Sequence, residues 1–236
     1  MTRPPDAPRL TVLIPAYNEA ATIAEIIRRV LATGLEPEIV VVDDGSTDET
    51  ADIVRDLSRN ADIKLVQQTR NCGKGAAVRA GIPHATGEIV IIQDGDLEYD
   101  PDDYHAILRE LEDPEVQVVY GSRRLKRDNP MSSPIFYLGG VSLTLITNML
   151  YRTGITDEPT CYKAFRTDLL KDLPLHSTGF EFCPEVTAMV AKRGITIREV
   201  PIRYAPRKKS EGKKIRTKHW FEAVGTLLKH RIRGTE

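Results

Sequence analysis

The sequence predicts an α/β domain: an open, mostly parallel sheet with helices on both faces. Three observations carry this. Short apolar runs rich in β-branched residues alternate with amphipathic helical segments. Those runs read as strands buried on both faces. Several of them end in loops of acid, glycine or asparagine, where an open α/β sheet binds its ligands.

The first strand is Leu10 to Pro15. Asn18 is placed to cap a helix whose Ile23, Ile26, Ile27, Val30 and Leu31 fall on one face, and Gly34 and Pro37 end it. A second strand spans Glu38 to Asp43. Ser46 and Glu49 have capping-box spacing for a helix reaching about Arg59. Ile63 to Val66 is the third strand, after which Asn71 to Gly75 opens another helix. Ile89 to Ile92 is the fourth, and its continuation carries Asp94, Asp96, Glu98 and Asp100. Asp100 suits an N-cap with Pro101 at the first helical position. Val116 to Tyr120 follows as a fifth strand. Pro134 to Tyr151 is apolar and Gly-containing; it reads as a buried helix or as an amphipathic helix lying on a membrane. A helix over Glu181 to Arg193 and an extended Ile195 to Ile202 complete the domain. The organisation is a tail over 1–9, a domain over 10–206, and a basic segment with a C-terminal amphipathic helix over 207–236.

Bulk properties narrow the function. With 28% charged residues and a formal net charge of -1, the chain of 236 residues has no nucleic-acid character. Its three cysteines, Cys72, Cys161 and Cys183, lack metal-ligand spacing and fit free thiols in a reducing cytosol. No signal peptide is read, nor an uninterrupted apolar run of membrane-spanning length.

Carboxylates at alternate positions after a strand can converge on a hard cation, Mg²⁺ or Mn²⁺. Four loops together describe a nucleotide site: Pro15 to Glu19, Asp43 to Ser46, Asn71 to Gly75 and Asp94 to Asp96. Carboxylates there accept from a base or ribose, and a Gly-rich helix start with a lysine suits phosphate. Gly73-Lys74-Gly75 lacks the third glycine of the dinucleotide fingerprint, and no P-loop occurs, which excludes a dinucleotide oxidoreductase and a P-loop ATPase. An Asp-nucleophile phosphatase also uses D-x-D, but after its first strand rather than the fourth.

Pro15-Ala16-Tyr17-Asn18-Glu19, Val42 to Asp48, Asn71 with Gly73-Lys74-Gly75, Asp94-Gly95-Asp96 and Gly121-Ser122-Arg123 resemble the family-2 glycosyltransferases of GT-A fold. The branch is similar to the dolichyl- and polyprenyl-phosphate mannosyl and glucosyl transferases, over about Leu10 to Tyr204. The resemblance implies transfer with inversion from a GDP- or UDP-hexose, a Mg²⁺ or Mn²⁺ cofactor, and a polyprenyl or dolichyl phosphate acceptor. It also implies peripheral placement on the cytoplasmic membrane face. Pro15, Tyr17, Glu19 and Asp44 would hold the nucleoside, with Lys74 and Gly95 beside the donor; Asp94, Asp96 and Glu98 would bind metal and diphosphate. Glu98 stands where the branch often has glutamine. Thr156 to Lys163 matches a stretch in which Tyr162 and Lys163 fit and Cys161 replaces the usual glycine.

Asp96, Asp157 and Arg123 are the expected catalytic residues, and Arg123, Thr160, Lys163 and Arg203 the expected acceptor contacts. Asp157 is a general base if the acceptor is a hydroxyl. A phosphate acceptor needs none, and Asp157 would then orient other groups; it could also be a plain loop cap. Asp44 suits guanosine and uridine alike. A soluble or glycan acceptor, or a non-catalytic nucleotide-sugar or membrane-surface module, are the alternatives. The basic run Arg207 to Lys218 is expected to serve as a lid or an anionic-membrane contact.

Overall fold

The computed structural model describes residues 9–131, 133–207 and 216–232. The chain runs β1 (Leu10–Ala16), α1 (Ile23–Ala32), β2 (Glu38–Asp43), α2 (Thr50–Leu57), β3 (Ile63–Gln67), α3 (Lys74–Gly81), β4 (Ile89–Ile92) and α4 (Tyr104–Glu110). It continues through β5 (Val118–Ser122), α5 (Pro134–Tyr151), β6 (Lys163–Arg166), α6 (Thr167–Asp172), α7 (Phe182–Lys192), β7 (Ile197–Pro201) and α8 (Thr217–Ile232). One seven-stranded sheet has the order β3-β2-β1-β4-β6-β5-β7. Every residue of β2 and β4 is buried, as strands covered on both faces require.

Two helix starts differ from the sequence reading for one reason. Asn18 does not cap α1; it takes a left-handed conformation (φ 50°), and its Oδ1 accepts from the Thr47 N–H at 2.8 Å. In return the Asn18 N–H donates to Ser46 Oγ at 2.9 Å, which removes Ser46 from its expected capping box. Asp48 instead accepts from the Thr50 N–H at 3.0 Å, at the start of α2, and from the Ala20 N–H at 3.1 Å. The loops after β1 and β2 cap each other, and this tertiary pairing outcompetes the local caps. The Asp100 cap forms as read: its carboxylate accepts from the Asp102 N–H at 3.2 Å, above a short 3-10 turn at Pro101–Asp103.

The strand missing from the sequence reading is β6, four residues that lie antiparallel between β4 and β5. Its flanking Lys163 and Arg166 disguise it as polar.

α5 is neither a core helix nor free of the fold. Leu143 packs with Ala188 of α7 and with Ala223 and Leu227 of α8, while Ile135, Leu138, Leu145 and Met149 are exposed. By length and composition α5 is apolar enough to cross a membrane, where the sequence reading found no such run; its glycines, threonines and asparagine interrupt the apolar residues without adding charge. The predicted basic run over 207–218 falls mostly on residues 208–215, outside the described residues.

Gly73 has a structural reason to be glycine. Its φ is 99°, and a Cβ there would lie 2.4 Å from the Thr178 carbonyl oxygen. Gly154 is also left-handed (φ 68°), but a Cβ there meets nothing within 4 Å. Gly73→Ala should therefore lose about 3 kcal/mol or more in urea denaturation. Gly154→Ala should lose only about 1 kcal/mol. Equal losses would show that the approach of the 177–179 loop is not what constrains Gly73.

Candidate active site

Strand direction gathers the loops singled out in the sequence. β1, β2, β3 and β4 are mutually parallel, so the segments after them open on one edge. β5 and β7 run the same way, which brings Arg123 and the 202–207 segment to that edge. Because β6 runs in reverse, its beginning rather than its end lies there, together with Asp157 to Tyr162.

At this edge Asp94, Asp96 and Glu19 each meet a cation. Lys74 Nζ lies 2.5 Å from Asp94 Oδ1. Burial opposes both charges, but the pairing prevails, holding the Asp94 carboxyl below its usual range and the Lys74 ammonium well above its own. Arg207 reaches Asp96 Oδ2 at 2.5 Å and Glu19 Oε2 at 3.1 Å. Its backbone N–H donates to Glu98 Oε1 at 2.8 Å, and the Tyr204 hydroxyl donates to Glu98 Oε2 at 3.0 Å. Burial, then the neighbouring Asp94 carboxylate, pushes the Asp96 carboxyl up to about 7 against the pull of Arg207. Among the described residues no three acidic, histidine or cysteine side chains converge as a metal site. Asp96 Oδ2 is turned instead onto the Arg207 guanidinium, itself a cation, and the Glu98 carboxylate lies within 3.9 Å of the same group. That hard-oxygen donor set fits Mg²⁺ or Mn²⁺.

Beneath the acids, Gln93 is fully buried. Its amide nitrogen donates to the Asp94 carbonyl at 2.9 Å, and its Oε1 accepts from the Tyr104 and Tyr162 hydroxyls at 2.6 and 2.7 Å. Tyr99 stacks between Tyr162 and Tyr204 with ring centroids 4.8 and 5.5 Å away. A rigid aromatic floor thus sets the direction of the acidic loop.

The second charged centre is Arg123 with Asp157. The guanidinium grips the carboxylate through two 2.7 Å bonds, and the Arg123 backbone N–H adds a third at 3.0 Å. Asp157 is fully buried, and Glu199 accepts from its N–H at 3.1 Å. Burial raises the Asp157 carboxyl, but Arg123 outweighs it and holds the group below the usual carboxylate range. A carboxylate engaged on both oxygens and so hard to protonate is a poor proton acceptor.

Other expected residues lie elsewhere than the sequence implied. Both Asp44 oxygens accept backbone N–H groups, from Cys72 at 2.7 Å and Gly73 at 2.8 Å. The start of α3 is not open to a phosphate: the Gly75 and Ala76 N–H groups donate to the Gly179 and Thr178 carbonyls. Lys163 begins β6 but turns its side chain inward. Its ammonium is fully buried, donates to the Glu158 carbonyl at 2.7 Å and sits 3.6 Å from the centre of the Tyr120 ring. Thr160 is likewise fully buried. Arg203 is drawn to Asp100 at 2.8 Å and Asp103 at 2.9 Å, beside the acidic loop rather than beside Arg123. Pro15 pairs with Val42 in the sheet, Tyr17 is half-buried at the end of β1, and a Cβ on Gly95 would touch Glu19 Cγ at 3.4 Å.

Sequence reasoning missed Gln93, Tyr99, Tyr204 and Glu199, and the partners of Arg207. Charge was the available signal for Arg207, but its carboxylate at Asp96 lies 111 residues away.

The raised Asp96 carboxyl has a consequence for stability. A group whose folded pKa exceeds its unfolded value favours folding most at low pH and loses that contribution as pH rises through the folded value. In chelator, the stability gained by Asp96→Asn over wild type should therefore be about 3 kcal/mol larger near pH 8.5 than near pH 5 in urea titrations. A gain independent of pH would sink this assignment.

Comparison with known proteins fits this geometry. The sequence matches the Glycosyl transferase family 2 profile over residues 11–174. It is 29% identical over 213 residues to an undecaprenyl-phosphate 4-deoxy-4-formamido-L-arabinose transferase of Edwardsiella ictaluri, covering 86% of this chain and 62% of that one. A dolichol-phosphate mannosyltransferase of Pyrococcus furiosus is 26% identical, covering 87% and 59%. The chain thus spans about three-fifths of the length of these two relatives. A solved Pyrobaculum calidifontis mannosyltransferase in complex with GDP-Man and Mn²⁺ superposes with a TM-score of 0.64 at 26% identity, covering 89% of this chain and 61% of that one. Glucosyl-3-phosphoglycerate synthase from Mycobacterium tuberculosis shares the fold, with a TM-score of 0.71 at 21% identity over 94% and 80% of the two chains. The chain belongs to glycosyl transferase family 2.

Proposed function

We propose that the chain is a metal-dependent inverting glycosyltransferase that moves mannose or glucose from a GDP- or UDP-sugar to a polyprenyl or dolichyl phosphate. The observation that carries this is the gathering of Asp96 and Glu98 around the Arg207 cation at the carboxyl edge of the sheet, the edge that also holds the arginine-bound Asp157. The Edwardsiella and Pyrococcus relatives bear the names of polyprenyl-phosphate sugar transferases, and the Pyrobaculum enzyme holds GDP-Man with Mn²⁺.

In this reading Asp94, Asp96 and Glu98 hold Mg²⁺ or Mn²⁺, which supplies positive charge against the donor diphosphate. Pro15, Tyr17, Glu19 and Asp44 line the nucleoside side, with Lys74 and Gly95 next to the diphosphate. Arg123 and Arg203 supply charge for the acceptor phosphate. An ionised phosphate attacks the anomeric carbon without surrendering a proton, so the reaction needs no general base. Asp157 then orients Arg123. A hydroxyl acceptor with Asp157 as base is disfavoured by the three hydrogen bonds that already occupy its oxygens.

The chain lies against the cytoplasmic face of the membrane through α5 and α8. Ile135, Leu138, Leu145 and Met149 are spaced as one helical stripe, and Phe221, Leu228 and Ile232 as another.

Calorimetric titration with GDP-mannose and UDP-glucose, each with and without Mn²⁺, tests the donor site. One donor should bind in a metal-dependent way and then support transfer to a polyprenyl phosphate; no binding of either would leave only the fold. Leu138→Glu with Leu145→Glu should abolish sedimentation with phosphatidylglycerol vesicles and leave donor binding intact. Unchanged sedimentation would remove α5 from the membrane contact.

A further inference from the structure

The two arginines of the site are built differently. Arg123 is matched to one carboxylate by a planar pair of bonds. Arg207 is instead shared among three carboxylates from two segments of the chain: Asp96 at 2.5 Å and Glu98 at 3.9 Å after β4, and Glu19 at 3.1 Å after β1. Its side chain is only 17% exposed, yet its buried Nε finds no hydrogen-bond acceptor among the described residues. An unmatched buried donor works against the contact by about 1–3 kcal/mol. Arg207 is therefore held by hydrogen bonds to Asp96 and to both oxygens of Glu19, with its Nε left unmatched.

Two of the groups it meets, Asp96 and Glu98, are oxygen donors of the metal site in the function proposed above, on which this inference rests. A divalent ion needs those oxygens at about 2.0–2.2 Å. A guanidinium 2.5 Å from Asp96 Oδ2 and an ion on the same oxygen compete for it. We propose that Arg207 is an internal counter-cation: it occupies the divalent-ion position of the metal-free site and is displaced when metal binds. Glu19 holds Arg207 in that position without contributing to the metal site. The acidic edge is thereby kept neutralised in the absence of ligand, and the affinity for metal is set partly by how firmly Arg207 is held.

Direct Mn²⁺ binding, read from the free-ion electron paramagnetic resonance signal of the full chain without nucleotide, tests the exchange. Arg207→Gln should bind Mn²⁺ about tenfold more tightly than wild type, a difference of about 1.4 kcal/mol. Glu19→Gln is the sharper variant and guards against misfolding of the first. Removing a nearby negative charge should weaken cation binding by simple field effects, whereas loosening Arg207 should tighten it about threefold. Weaker or unchanged Mn²⁺ binding in Glu19→Gln overturns the exchange, as does unchanged affinity in Arg207→Gln. If Arg207 were only a strut, its loss would lower the melting temperature in chelator without moving Mn²⁺ affinity. Should wild type bind Mn²⁺ and the variants no better, the exchange falls and the metal site stands. Should wild type bind none even with UDP or GDP present, both fall together.

Discussion

Carboxylates crowded at the half-buried end of a sheet must be offset by positive charge, and most of the molecule's edge is arranged to meet that demand. Asp94 takes Lys74, Asp96 and Glu19 take Arg207, and Asp157 takes Arg123. The cations come from the start of α3, from the segment beyond β7 and from the end of β5. Each pairing ties together stretches distant in sequence, so charge balance at the edge also fastens the periphery of the fold. Strand direction makes this possible, because only the mixed order β4-β6-β5-β7 brings the late segments beside the early acidic loops.

The pairings are not equivalent. Arg123 and Asp157 form a closed unit with every oxygen engaged, supported from behind by Glu199. Breaking such a buried pair leaves an uncompensated charge and is costly. Lys74 and Asp94 are a simple contact with Cys161 Sγ alongside at 3.6 Å. The Arg207 cluster is the richest in negative charge, with Nε of the arginine left without an acceptor among the described residues. A site thus has a fixed half around Asp157 and an adjustable half around Asp96, with the Tyr99, Tyr162 and Tyr204 rings between them.

Much of this was legible in the sequence. The early alternating strands and helices, α5 to the residue, and the gathering of four loops at one edge followed from apolar runs and punctuation alone. What was not legible depended on partners far along the chain. Asn18 and Ser46 looked like caps and cap each other's loops instead. Lys163 looked like an acceptor contact because it fits a stretch of the family the sequence resembles, yet it lies in a strand whose neighbours on both sides are buried. Gly73 and Gly75 looked like a phosphate cradle and serve a backbone crossing. Residue type was informative; the direction of a side chain needed the fold.

The reversed strand β6 has one more implication. Since β5 ends and β6 begins at the same edge as antiparallel neighbours, everything between Arg123 and Tyr162, α5 included, is in topological terms one oversized hairpin loop. None of its residues takes part in the pairing that sets the register of β5 against β6. The strand register is thus set outside the excursion, while α5 enters the fold through its packing on α7 and α8 and Asp157 through Arg123 and Glu199.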